Sequence, residues 1–349
     1  MGRIILHAGM SKTGTSSIQR WLAEQVQPLR ERGIRPVRVV QSSPGAPIML
    51  VPSTDKKAKS TLVEGLRRSE DPESRVATLK QILDLVDAEA DRSDLIVVSN
   101  EGYEALFQDD VRQFREELDV LAGAHDVRIA YYVRPQHAWL EAAWRQWGFR
   151  HPQRPSAWLR RQEPRLRYWR TLNTIREQAP RLSFEMRPFR SDLLAGGDVV
   201  PDFAETFLGI DDVPRAVADD GWSNRGFPLE LSILLRDAPQ DLFWSSLHDN
   251  LTLDRLRSFV IGWQLPESES TTRSRAILRE YAYRAFEPEN QELIRDLDWP
   301  TQHYVPPDED DGHTGDDERD LAAIDDLWTS NASPAERALL FSALRELVS

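Results

Sequence analysis

Residues Arg3 to Gln19 read RIILHAGMSKTGTSSIQ, and the fold turns on them. Ile4-Ile5-Leu6 is a short apolar run rich in β-branched residues, the composition of a buried central strand. A turn carrying Gly9 and Gly14 follows, with small hydroxyl residues between and after the glycines. From Ser16 to Gln25, Ile18, Trp21 and Leu22 recur at helical spacing. Strand, glycine turn and helix in that order aim several backbone N–H groups and a helix N-terminus at one anion. An ordinary strand-to-helix turn with a surface lysine would show part of this pattern. The agreement of strand, glycines, hydroxyls and helix argues for the anion loop.

The spacing separates this loop from a Walker loop, which needs a lysine directly after its second glycine and then Ser or Thr for magnesium. Thr15 follows Gly14 here, and Lys12 stands two positions before it. The loop amides, with Thr13, Thr15, Ser16 and Ser17, suit a phosphate. Lys12 sits at the crown, facing whatever extends beyond that phosphate.

KTGTSSIQ resembles the 5′-phosphosulfate loop of the sulfotransferases that use 3′-phosphoadenosine-5′-phosphosulfate (PAPS), and HAGMSKTGTSSIQ is closer still to their bacterial branch. The resemblance covers roughly residues 3 to 300. It implies a P-loop-type α/β fold, with a five-stranded parallel sheet between layers of helices. It also implies transfer of a sulfuryl group from PAPS to an acceptor hydroxyl or amine, without a required metal.

Composition bounds the alternatives. At 349 residues, 40% apolar and 29% charged, the chain has the make-up of a soluble globular protein with a sizeable core. No stretch approaches the ~20 apolar residues of a membrane span. MGRIILHAGM is too short and polar for a signal peptide, and with no cysteine the chain is expected in the cytoplasm. A net charge of −13 speaks against nucleic acid as a partner and requires positive charge to be gathered locally around an anionic ligand.

Further along, Gly33–Val40 is a strand that Pro36 places at a sheet edge, and Gln41–Ser60 reads as a long irregular loop. Helices are predicted over Ala58–Arg68 and Glu73–Ala90, and a buried strand over Asp94–Asn100. That strand ends at Glu101, where open α/β sheets hold ligands. Ser99-Asn100-Glu101 matches the Ser-x-Glu of the bacterial branch, which makes Glu101 the general base; capping of the next helix is the competing part for it. His7, at the end of the first strand, is a second base candidate. After a helix over Gln108–Ala122, Val127–Val133 is a strand running into Arg134, and the next helix carries Trp139, Leu140, Ala143, Trp144 and Trp147 on its apolar side.

In the family, an arginine placed like Arg134 holds the 3′-phosphate together with a serine eight residues on. Ala142 stands there instead, so that hydrogen bond, ~1–2 kcal/mol, is missing. The arginines between Arg150 and Arg167 form either an anionic-acceptor surface or a solvated basic face. Leu182–Phe189 is the fifth strand, and Phe189 resembles the family's adenine-stacking aromatic, with plain core packing the competing part for it. Asp202–Leu208 is a short helix closed by Gly209. Arg225-Gly226 loosely resembles the family's turn over the 3′-phosphate, a plain loop before the helix over Leu229–Leu235 being the competing reading.

Asp254–Trp263, Ser274–Phe286 and Glu289–Leu297 read as helices. One α/β domain is therefore expected over residues 1–300, helical from about 237. An acidic linker (301–320) and a terminal helical pair (321–349) follow, the pair a candidate for docking on the core or joining two copies. The acceptor class stays open among carbohydrates, lipids and small metabolites. Two other functions compete: a catalytically weakened binding protein of the same fold, suggested by Ala142, and a nucleotide kinase, which the displaced lysine disfavours.

Overall fold

The computed structural model describes residues 1–41, 48–53, 72–100, 103–108, 112–151, 153–214, 227–236, 268–300 and 316–329, with a few between 333 and 346. The chain divides into two compact units, Met1–Arg134 with Arg167–Val217, and Pro135–Leu166 with Ala218–Ser349.

The first unit is an α/β layer structure. Its elements are β1 (Arg3–Gly9), α1 (Thr15–Glu24), α2 (Val26–Glu31), β2 (Ile34–Val40), β3 (Met49–Pro52), α3 (Pro72–Ala90), β4 (Leu95–Ser99), α4 (Tyr103–Gln108), α5 (Arg112–Ala124), β5 (Asp126–Val133), α8 (Tyr168–Gln178), β6 (Ser183–Pro188) and α9 (Val199–Phe203). The second is helical among its described residues: α6 (Gln136–Trp144), α7 (Pro155–Gln162), α10 (Leu229–Arg236), α11 (Glu269–Leu297) and α12 (Asp317–Leu327).

The sheet has six strands in the order β3-β2-β4-β1-β5-β6. Five are parallel, and β3 runs antiparallel to β2. The expected five-stranded parallel sheet is thus extended by a short strand from the stretch read as irregular loop. Pro36 accordingly lies in an internal strand, not at an edge. Its carbonyl accepts Ser53 N–H at 3.3 Å. A strand residue's N and O face the same neighbour, so the missing N–H points at Ser53, just past the end of β3; only the reciprocal bond to the Ser53 carbonyl is forgone, and none to β4.

Alternation along the strands fills both faces. Ile5, Val97, Ala130 and Tyr132 pack with Ile18 and Leu22 of α1, Leu29 of α2, and Val199, Val200 and Phe203 of α9. On the opposite face, Tyr131 and Phe184 meet Phe107 of α4, which also touches Phe114 of α5. Parallel strands covered on both sides need this unbroken apolar character.

In the second unit, α11 runs 29 residues through Pro288, where the spacing predicts two helices. Buried side chains on both sides of the proline carry it across: Tyr281, Ala282 and Phe286 before, Asn290 and Leu293 after. α12 begins at Asp317 and buries Leu321 and Ile324 within this unit, and Trp328, just past its end, packs against Trp144 with ring centroids 4.9 Å apart. Two arginines of the basic stretch are engaged here, Arg160 with Glu318 and Arg165 over the Trp139 ring at 4.6 Å. The helices expected over Ala58–Arg68 and Asp254–Trp263 lie outside the described residues, as does most of the last one. No described helix is long and apolar enough to cross a membrane.

Candidate anion-binding site

Register aligns the strand ends at one edge of the sheet. His7 pairs with Ser99 on β4 and Ala130 on β5, Gly9 with Tyr131, and Val133 with Pro188 on β6. The segments leaving that edge are the 10–14 loop, Asn100, Arg134 and Phe189. The chain leaves β1 toward β2 on one side and β5 toward β6 on the other, so β1 and β5 flank a topological switch point. Open α/β sheets bind ligands in the crevice such a point creates.

The loop is held from within. Thr13 Oγ1 donates to the Met10 carbonyl at 2.5 Å, and Thr15 Oγ1 to the same oxygen at 3.3 Å. These two hydroxyls therefore shape the loop. Gly14 has φ +82 and precedes α1, where its carbonyl accepts Ser17 and Ile18 N–H at 2.9 and 3.1 Å. The Ser11–Lys12 turn is closed between the Met10 carbonyl and Thr13 N–H; among the described residues, the amides of Gly14, Thr15 and Ser16 donate to no protein acceptor. With the half-buried Ser16 and Ser17 at the helix start, they form a row of donors backed by the helix dipole. Lys12 is half-buried at the crown and has φ +67, a left-handed conformation uncommon outside glycine.

Three residues singled out in the sequence converge beside this row. The Arg134 guanidinium carbon lies 5.4 Å from the centroid of the Phe189 ring. A Cβ on Gly14 would stand 3.2 Å from Phe189 Cε2 and 2.5 Å from Val199 Cγ1, so only glycine fits. Phe189 N–H donates to the Val133 carbonyl at 2.7 Å, and the buried Tyr168 hydroxyl donates to the Arg134 carbonyl at 2.8 Å. Asp202, fully buried, fixes α9 under the loop. It accepts from Tyr132 Oη at 2.8 Å, Arg187 Nε and Nη2 at 2.7 and 2.6 Å, and Ala195 N–H at 3.0 Å.

His7 is placed differently from a base. It is fully buried between the Phe203 and Tyr132 rings, and its Nδ1 lies 2.8 Å from Ser99 Oγ. Burial lowers its pKa to about 3, which leaves the imidazole neutral and weakly basic. Together with Gln19 Nε2, which donates to the Ser99 carbonyl at 3.3 Å, and Asn100 N–H, which donates to the His7 carbonyl at 2.9 Å, it ties the end of β4 to the loop. Glu101, Arg225 and Gly226 lie outside the described residues.

One residue at the loop has no counterpart among the sequence candidates. Glu104, buried in the first turn of α4, accepts Ser11 N–H on Oε2 at 3.0 Å. Nothing local in the sequence marks it, because the contact joins segments 93 positions apart. No family model, no curated protein and no solved structure matches the chain.

Proposed function

We propose that the chain is a PAPS-dependent sulfotransferase of P-loop type. The observation that carries this reading is the convergence of Gly14, Phe189 and Arg134 beside a row of amide donors with a lysine at its crown. A nucleotide with a 5′-phosphate, a flat base and a second phosphate needs those three kinds of partner. The amides of residues 14–16 receive the 5′-phosphate, the exposed part of the Phe189 ring offers a stacking face, and the Arg134 guanidinium takes the 3′-phosphate.

In the reaction, the acceptor oxygen or nitrogen attacks sulfur in line with the bond to the 5′-phosphate. The new bond to sulfur forms as the sulfur–oxygen bond breaks, and the electron pair leaves on the bridging oxygen. Lys12 stabilises that oxygen, and Glu101 takes the acceptor's proton. The sulfuryl group carries less charge than a terminal phosphate, so this reading involves no magnesium.

Transfer assays with PAPS and a panel of hydroxyl and amine acceptors provide the test. Lys12→Ala and Glu101→Gln are each expected to reduce turnover at least ~100-fold. Unchanged turnover in both variants rules out these roles. Nucleotide binding without transfer to any acceptor would favour the binding-protein reading, to which Ala142 lends support by removing a phosphate ligand.

A further inference from the structure

We propose that Glu104 is a specificity-determining residue, a buried carboxylate under the loop crown that excludes chains of phosphates from the anion site. The inference rests on the anion-site reading above and adds which anions are refused.

Ser11 N–H belongs to the crown, next to Lys12, and Glu104 Oε2 accepts it at 3.0 Å. In a strand-loop-helix cradle, each loop amide that meets an oxyanion helps to neutralise it. The crown amide of Ser11 is already engaged by a carboxylate. The crown therefore offers an incoming anion one amide fewer, and it carries a buried carboxylate beside the Lys12 ammonium. Glu104 is 2% exposed, so water screens that charge poorly. It is also held in place: Tyr103 N–H donates to the Asn100 carbonyl at 3.2 Å, and Phe107, one turn on, is locked against Tyr131 and Phe184.

A fixed like charge acts on ligands in proportion to the charge brought near it. A single-charged sulfuryl group beyond the first phosphate is repelled less than the β- and γ-phosphates of a nucleoside triphosphate. Adenosine 3′,5′-bisphosphate places nothing there at all. The displaced Lys12 already departs from the spacing of a magnesium-triphosphate loop; Glu104 adds a like charge at the crown.

Calorimetric titration of the full chain with adenosine 3′,5′-bisphosphate and with ATP, both in EDTA, tests the proposal on the natural sequence, Glu104→Gln and Glu104→Ala. Glutamine keeps an acceptor for Ser11 N–H and removes the charge. We expect the unaltered chain to bind the bisphosphate at least tenfold more tightly than ATP. Glu104→Gln is expected to tighten ATP binding about tenfold and the bisphosphate less than about threefold. Glu104→Ala must relax the ratio in the same direction.

A ratio unchanged in both variants overturns the assignment, as does ATP binding to the unaltered chain as tightly as the bisphosphate. Binding of neither nucleotide by the unaltered chain, with ATP accepted by Glu104→Gln, would keep Glu104's role and remove the sulfotransferase reading. Binding of neither nucleotide by any of the three proteins removes both.

Discussion

Lys12 shows how local strain and function meet in one residue. At φ +67 its Cβ crowds the backbone, a conformation that costs about 1 kcal/mol for a residue with a side chain. Replacement by glycine relieves the strain; replacement by alanine keeps it. Lys12→Gly should therefore be about 1 kcal/mol more stable than Lys12→Ala in urea denaturation, although both lose the ammonium. Both should bind adenosine 3′,5′-bisphosphate less tightly. Equal stabilities would mean that the loop does not hold position 12 in the left-handed region.

His7 makes a separate, pH-dependent prediction. Its folded pKa, about 3, lies below the ordinary 6.5, so the unfolded chain takes up a proton that the native state refuses. The native state thus bears no penalty above pH 6.5, and stability falls as the pH drops from about 6.5 toward about 3. At pH 5 the loss is about 2 kcal/mol. Between pH 7.5 and pH 5, the natural chain should lose about that much more stability than His7→Asn. Parallel pH curves would show that His7 is not held neutral in the fold.

Sequence legibility differs sharply between these residues. Arg134 and Phe189 can be found because each follows directly on a strand, and Gly14 because a glycine turn carries the chain from a strand into a helix. Burial of His7 and the Ser11–Glu104 bond depend on which strands become neighbours, and no local pattern encodes that.

Among elements, proline was the least reliable guide. Pro36 and Pro288 each forbid something locally, an N–H in a ladder and an N–H in a helix, yet each is accommodated by its neighbours. Pro36 faces the end of β3, where proline costs a single terminal bond, and β3 itself is hidden because a four-residue strand among prolines has too few alternating positions to be seen. The helix holding Pro288 is tied to α6 by a buried amide pair. Gln136 Nε2 donates to Asn290 Oδ1 at 2.7 Å, and Asn290 Nδ2 donates to Gln136 Oε1 at 3.2 Å. Gln136→Leu strands the Asn290 amide, and Asn290→Leu leaves Gln136 only its Nε2 bond to the Leu166 carbonyl at 3.3 Å, each at a cost of about 1–3 kcal/mol. The double variant should lose clearly less than the sum, with a coupling of about 1 kcal/mol or more in denaturant unfolding. Additive losses would mean that the two amides do not depend on each other.

For the whole molecule, the parallel sheet explains why the candidate residues meet. Strand ends scattered between positions 9 and 188 are brought to one edge by register, and their order places β1 and β5 about the switch point. On the proposed reading, a chain of net charge −13 draws its donors for an anion there from backbone amides, Lys12 and Arg134. Thermal unfolding of the full chain with saturating adenosine 3′,5′-bisphosphate in EDTA tests that gathering directly. At a ligand concentration of 100 Kd the stabilisation is about 2.7 kcal/mol, a rise of several degrees. We expect that rise for the natural sequence and little or none for Arg134→Ala, with magnesium-ATP giving less. A rise with magnesium-ATP alone, or an equal rise in Arg134→Ala, would contradict the site described.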